Sequence, residues 1–159
     1  MATATSSPPA TSTTERSSAT DRRLRIAAIV VALIGLGIAA YLTYVHHAKL
    51  KPLCLSSGAC ETVQSSRYAK LAGIPVPVLG LVGYISILVS LALRGDLGRL
   101  ASCGFALVGF LFSAYLTYRE LFTINAICQW CVGSAICMTV LAVLTVIRLL
   151  REEVPEPSG

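Results

Sequence analysis

Six cysteines stand at positions 54, 60, 103, 128, 131 and 137 of this 159-residue chain, and their spacing sorts them. Cys128-Gln129-Trp130-Cys131 opens an apolar run that continues without a charge to Ile147. Two cysteines three apart at the start of a helix point to one side and close a small disulfide ring. The first of them lies where unpaired backbone N–H groups and the positive helix end favour a thiolate. That is the chemistry of thiol–disulfide exchange. Cys54 and Cys60 enclose Leu-Ser-Ser-Gly-Ala, mostly small residues, so a disulfide there is exposed and readily exchanged. Cys103 and Cys137 fall inside apolar runs, Cys137 about 9 Å beyond Cys131 at about 1.5 Å rise per residue, and read as small packing residues. For the other four, competing readings are a pair of structural disulfides and a four-thiolate zinc site. Cys-x5-Cys departs from the usual zinc spacing, and no metal is expected. Haem attachment needs CxxCH, and Val132 follows Cys131. A relay between two dithiols accounts for a mobile pair and a fixed pair together.

The elements that position these cysteines are apolar. Charged residues make up 13% of the chain and apolar ones 55%, far from a soluble composition. Residues 26–45, 74–93, 100–118 and 121–147 carry no charge, and each reaches the roughly 18 to 20 residues needed to cross a bilayer. Lipid offers no partners to backbone polar groups, so the spans are helices. Short connections make an antiparallel four-helix bundle. The expected fold is an all-α integral membrane protein of four transmembrane helices at about 24–45, 75–93, 100–120 and 127–148. These form one domain over 23–150, with a large outer loop at 46–74. Residues 1–22, rich in Ala, Thr, Ser and Pro, read as a disordered cytoplasmic tail, and 151–159 as a second tail.

The net charge of +5 is a topology signal and not a nucleic-acid one, because the basic residues lie at the ends of the spans. Arg16, Arg22, Arg23, Arg25, Arg94, Arg99, Arg148 and Arg151 fall on one side; Lys49, Lys51, Arg67, Lys70 and Arg119 fall on the other. This bias puts both termini in the cytoplasm and the cysteine pairs outside, on the disulfide-permissive side in a bacterium. Arg119-Glu120 marks the outer surface. Arg94-Gly95-Asp96 is an ordinary turn. The tyrosine pairs Tyr41/Tyr44 and Tyr115/Tyr118 are expected as interfacial anchors.

Residues 32–44 and 106–118 match at eight of thirteen positions with an offset of 74, and the same offset carries Cys54 onto Cys128. Each half is then a helical hairpin whose Ala-Tyr-Leu-Thr-Tyr end is followed, ten residues later, by the first cysteine of a pair. Within the outer loop, Val63, Tyr68, Leu71 and Ala72 set against Gln64, Ser65, Arg67 and Lys70 predict a short amphipathic helix over 62–72 lying on the membrane surface.

Taken together, the four spans, the loop pair Cys54/Cys60, Ser65-Ser66-Arg67, Leu79-Gly80 and the CxxC at the outer end of the last span resemble the vitamin K epoxide reductase family over residues 24–150. The nearest likeness is to its bacterial disulfide-forming members. The resemblance implies that Cys131 faces a quinone, that Cys128 is its partner, that Cys60 reduces Cys128, and that Cys54 receives electrons from an external thioredoxin-like protein. The quinone pool would supply ubiquinone, menaquinone or phylloquinone, and Ser66 would hydrogen-bond the ring or the developing thiolate. Animal members carry a tyrosine and an asparagine near the ring where this chain has Ala135 and, in a looser alignment, Val76. That departure argues against epoxide reduction proper. Many bacterial members carry a fused thioredoxin-like domain after the last span; the expectation here is a separate partner. The alternative readings are a vitamin K epoxide or quinone reductase proper and a non-enzymatic membrane scaffold.

Overall fold

In the computed structural model, residues 11–51, 53, 70–71, 73–93, 95–125 and 127–153 are described. Four α-helices dominate them: α1 (Thr11–His47), α2 (Val76–Ala92), α3 (Asp96–Arg119) and α4 (Gln129–Glu153). A five-residue π-helical turn, Glu120–Ile124, extends α3. α1, α3 and α4 are long and apolar enough to cross a bilayer, over Ala19–His47, Asp96–Thr123 and Gln129–Arg151. The 17 residues of α2 make a shorter apolar helix, about 26 Å long at about 1.5 Å per residue.

Each helix packs on two neighbours, in the cyclic order α1–α2–α3–α4. Three polar ties set the directions. Arg25, early in α1, donates from Nε to the Leu91 carbonyl at 2.8 Å and from a second guanidinium nitrogen to the Ala92 carbonyl at 3.3 Å, both at the end of α2. Asp21, earlier still, accepts from Arg148 Nε near the end of α4 at 3.0 Å and faces Arg99 at 3.6 Å near the start of α3. One end of the bundle therefore gathers the start of α1 and the ends of α2 and α4. The CxxC is left at the other end.

On the inner face of α1, Ala28, Ala32, Gly35, Ala39 and Leu42 are all buried. Small residues at that spacing let neighbouring backbones approach closely, which is how helices associate where lipid competes with side chains for apolar contact. Tyr84, Ile87 and Leu91 of α2, Ala106 of α3, and Met138, Leu141 and Ala142 of α4 complete the core. The outward faces carry Val30, Leu33, Val82, Val89, Val108, Leu111 and Val143, each at least half exposed. Helix-face hydroxyls return to their own backbone: Thr43, Ser86, Ser90, Thr117, Thr139 and Thr145 each donate to the carbonyl four residues earlier, so they present no unpaired donor.

Three expectations shift. α1 begins at Thr11, so it takes in residues 11–22, which their composition assigns to a disordered tail. No Pro or Gly interrupts the chain between Thr11 and Ile34, and a helix already nucleated by an apolar span propagates at low cost. Asp21 then serves as an ion-pair partner within that helix. Next, the predicted amphipathic helix over 62–72 lies outside the described residues, except that Lys70–Leu71 is extended. It pairs antiparallel with Ile74–Pro75, Lys70 opposite Pro75 and Leu71 opposite Ile74. Gly73, at φ 86°, makes the tight turn that a side chain would disfavour. Last, α3 starts at Asp96, four residues before the predicted span, because Asp96 is tolerated in a first turn.

Candidate functional site

Asn125, in the left-handed region at φ 51°, ends the π turn and redirects the chain toward the start of α4. Cys128 immediately precedes α4, and its carbonyl accepts the Val132 N–H at 3.0 Å. Cys131 follows in the first helical turn. Both are thiols, Cys128 fully buried and Cys131 half-buried. The hydrogen bond from the Cys131 thiol holds the Cys128 thiol below its usual range; burial opposes this, and the N–H groups of Cys131 and Trp130 add to it. The first cysteine is thus the one of the pair whose thiolate is favoured, chiefly by the neighbouring thiol and to a smaller extent by the N–H groups of the helix start.

A cavity of about 360 Å³ lies between the four helices at this end. Ile38 and Leu42 of α1, Val76, Leu79 and Gly80 of α2, and Phe112 and Leu116 of α3 form its apolar walls. Cys131 opens into it, with Ser134 and Ala135 on the same helix, whereas Cys128 does not line it. Tyr84 supplies a phenol to the wall and donates to the Ser134 carbonyl at 3.0 Å, its oxygen lying 2.9 Å from Ser134 Oγ. The size and the few convergent polar groups are those of a site for a small, mainly apolar molecule.

Glu120 is the functional candidate missed in the sequence. Beside Arg119 it reads as a marker of the water interface, yet it is 5% exposed and lines the cavity. The π turn accommodates one more residue than an α-turn and so changes which side chain faces inward. The Glu120 carboxylate accepts the Cys128 N–H at 3.3 Å and interacts with the Cys131 thiol.

Cys54, Cys60, Ser65, Ser66 and Arg67 lie outside the described residues. The residue before Cys54 does not. Leu53 is clasped at both backbone groups: its carbonyl accepts from Trp130 Nε1 at 2.8 Å, and its N–H donates to the Tyr41 hydroxyl at 3.1 Å. Tyr41 and Trp130 stack with ring centroids 4.9 Å apart. Tyr41 is therefore more than an interfacial anchor, unlike Tyr44 and Tyr118, which are 66% and 57% exposed. This clasp fastens Leu53 to the CxxC itself. Cys103 is buried and Cys137 packs against the core, as packing residues do.

Against this geometry stands one comparison with known proteins: the model of the vitamin K epoxide reductase family matches residues 26–146, well over half of the chain.

Proposed function

Because the chain belongs to the vitamin K epoxide reductase family, membrane oxidoreductases linked to quinones, we propose that it oxidises an extracytoplasmic thioredoxin-like protein and delivers the electrons to a membrane quinone, so sustaining disulfide formation. The observation that carries this reading is the division of labour within the CxxC. Cys131 opens into the 360 Å³ cavity, while Cys128 stands outside it, beside the docked entrance to the loop.

The reduced partner's thiolate attacks Cys54 of a Cys54–Cys60 disulfide and is then resolved by its own second thiol, leaving both loop cysteines reduced. Cys60 next attacks Cys128 of a Cys128–Cys131 disulfide; Cys131 leaves as thiolate, and Cys54 resolves the Cys60–Cys128 bond. The pair ends as two thiols, and their oxidation back to the disulfide supplies two electrons and two protons, the requirement for converting a quinone to a quinol. The order runs forward where each couple is more oxidising than the last, about 30 mV giving tenfold for two electrons. The residues present fit a quinone: apolar walls with Tyr84, Ser134 and Glu120 among them. Val76 and Ala135, the positions at which animal members place polar partners, line it as apolar residues, which favours a quinone over an epoxide. Ser66, six residues after Cys60, is assigned a hydrogen bond to the ring or the thiolate.

In the bilayer, all four helices span, α2 included. The end bearing Arg22, Arg23, Arg25, Arg99, Arg148 and Arg151 faces the cytoplasm, and the CxxC faces outward, in a bacterial cytoplasmic membrane.

Two outcomes are expected. In cells carrying Cys60→Ala, the remaining loop thiol at Cys54 holds a mixed disulfide with a thioredoxin-like protein, seen as a reductant-sensitive adduct on a non-reducing gel and identified by mass spectrometry. Absence of any adduct at Cys54 would contradict the external half of the relay. Trp130→Phe keeps the ring against Tyr41 and removes the hydrogen bond to Leu53, about 1 kcal/mol. It should slow exchange from the loop pair to Cys128 about fivefold, by quench-labelling of thiols. Oxidation of a pre-reduced Cys128/Cys131 pair by quinone should keep its rate. Equal slowing of both steps would show that Trp130 shapes the cavity instead.

A further inference from the structure

Oxidising two thiols releases two protons, and reducing a quinone consumes two, yet the cavity walls between the helices are largely apolar. A titratable group that touches both the thiol and the cavity can carry a proton between them. Glu120 is such a group: buried carboxylates are rare unless partnered, and this one takes its described contacts from the redox pair. It accepts the Cys128 N–H at 3.3 Å, interacts with the Cys131 thiol, and forms part of the cavity wall. Its neighbour Arg119 donates to the Tyr115 hydroxyl at 3.1 Å, with its guanidinium 5.5 Å from that ring.

We propose that Glu120 is a catalytic residue that carries a proton from Cys131 to the quinone. This rests on the quinone reading of the cavity given above. The carboxylate takes the proton of the Cys131 S–H bond as the pair is oxidised and gives it to the ring oxygen that lies nearer. The S–S bond forms as both S–H bonds break, and two electrons pass to the ring. The Cys128 proton is released to water at the outer surface, and the second ring oxygen takes one from water as the quinol leaves. Among the described residues, the titratable and charged groups facing Glu120 are Cys128 and Cys131 from the α4 side, with Arg119 beside it in the chain. Tyr84 of α2 lines the same cavity, and α1 contributes Ile38, Ala39 and Leu42, which do not titrate.

Glu120→Gln tests this. The amide oxygen still accepts the Cys128 N–H, so the turn is preserved, but the group no longer exchanges a proton. Pre-reduced protein mixed with a soluble quinone analogue should form quinol about 100-fold more slowly, with the KM for the quinone unchanged. The wild-type rate falls as pH drops and the carboxylate protonates; in Glu120→Gln that limb is lost, and Glu120→Asp recovers part of both. A second readout needs no quinone: the infrared difference between oxidised and reduced protein contains a carboxyl carbonyl band that is absent from Glu120→Gln. Wild-type rate and pH profile in Glu120→Gln, or no carboxyl band in the wild-type difference, overturns the proposal. If wild-type protein itself forms no quinol, the quinone reading fails, while the infrared band still decides proton exchange between Glu120 and Cys131.

Discussion

Cys131→Ser lowers quinol formation by at least about 10³-fold, the scale on which removal of a reacting nucleophile acts. The effect follows from position: Cys131 is the sulfur of the pair that lines the cavity, and Cys128, fully buried beside it, does not. A serine fills nearly the same volume, so the bundle keeps its stability and the loss is chemical. The same variant leaves Cys128 as a thiol at the helix start, where the N–H groups of residues 130 and 131 still favour its thiolate. Cys128 therefore attacks Cys60 of the loop disulfide and releases Cys54; with no Cys131 to compete, the Cys60–Cys128 bond is opened only by the return of Cys54 and is held in equilibrium with the loop disulfide. Peptide mapping without reductant reads it directly. A scaffold stapled by disulfides predicts the opposite outcome, with all function retained in Cys131→Ser.

Gly35→Ala should be among the most damaging small changes in the bundle. A methyl group there overlaps the ring of Tyr84, and the ring has nowhere to go: Tyr84 is fully buried, and its hydroxyl is fastened to Ser134, one turn after Cys131. Overpacking of this kind costs about 1–3 kcal/mol, and breaking the tie to Ser134 adds about 1 kcal/mol. Because Tyr84 is also a cavity wall, the KM for the quinone rises along with the loss of stability. Gly109→Ala is the contrasting control. Its methyl group meets the Sδ and Cε of Met138 at 2.8 Å, the far end of a flexible side chain that moves at little cost. Thermal unfolding in detergent should separate the two, with Gly109→Ala within about 1 kcal/mol of wild type.

Much of the arrangement is legible in the chain because bilayers impose simple rules. Uncharged runs of span length mark the four helices, and the CxxC falls at a helix start because the last run begins beside it. What is hidden depends on tertiary contacts. Glu120 stands next to Arg119, as interfacial charges often do, and only the π turn reveals that it faces inward. Trp130 looks like a spacer within the CxxC until its indole N–H is found on the Leu53 carbonyl. The internal repeat misleads in the same region. Tyr41 and Tyr115 are equivalent by the 74-residue offset, yet Tyr41 stacks on Trp130 while Tyr115 accepts from Arg119. Shared residues in two hairpins do not give them shared neighbours. The extension of α1 to Thr11 is missed for a different reason: composition reports that residues 11–22 bury little apolar surface, not that a helix continuing from a span stops there.

The central claim is that Cys128 and Cys131 hand two electrons to a quinone. It is tested most directly by reducing the protein, removing the reductant without oxygen, and mixing it with an equimolar quinone analogue. One quinol should form per chain, with the loss of two thiols and the appearance of a disulfide mapped to Cys128–Cys131. Quinone that stays oxidised beside a fully reduced pair, or quinol that forms while both thiols remain free, would contradict the account.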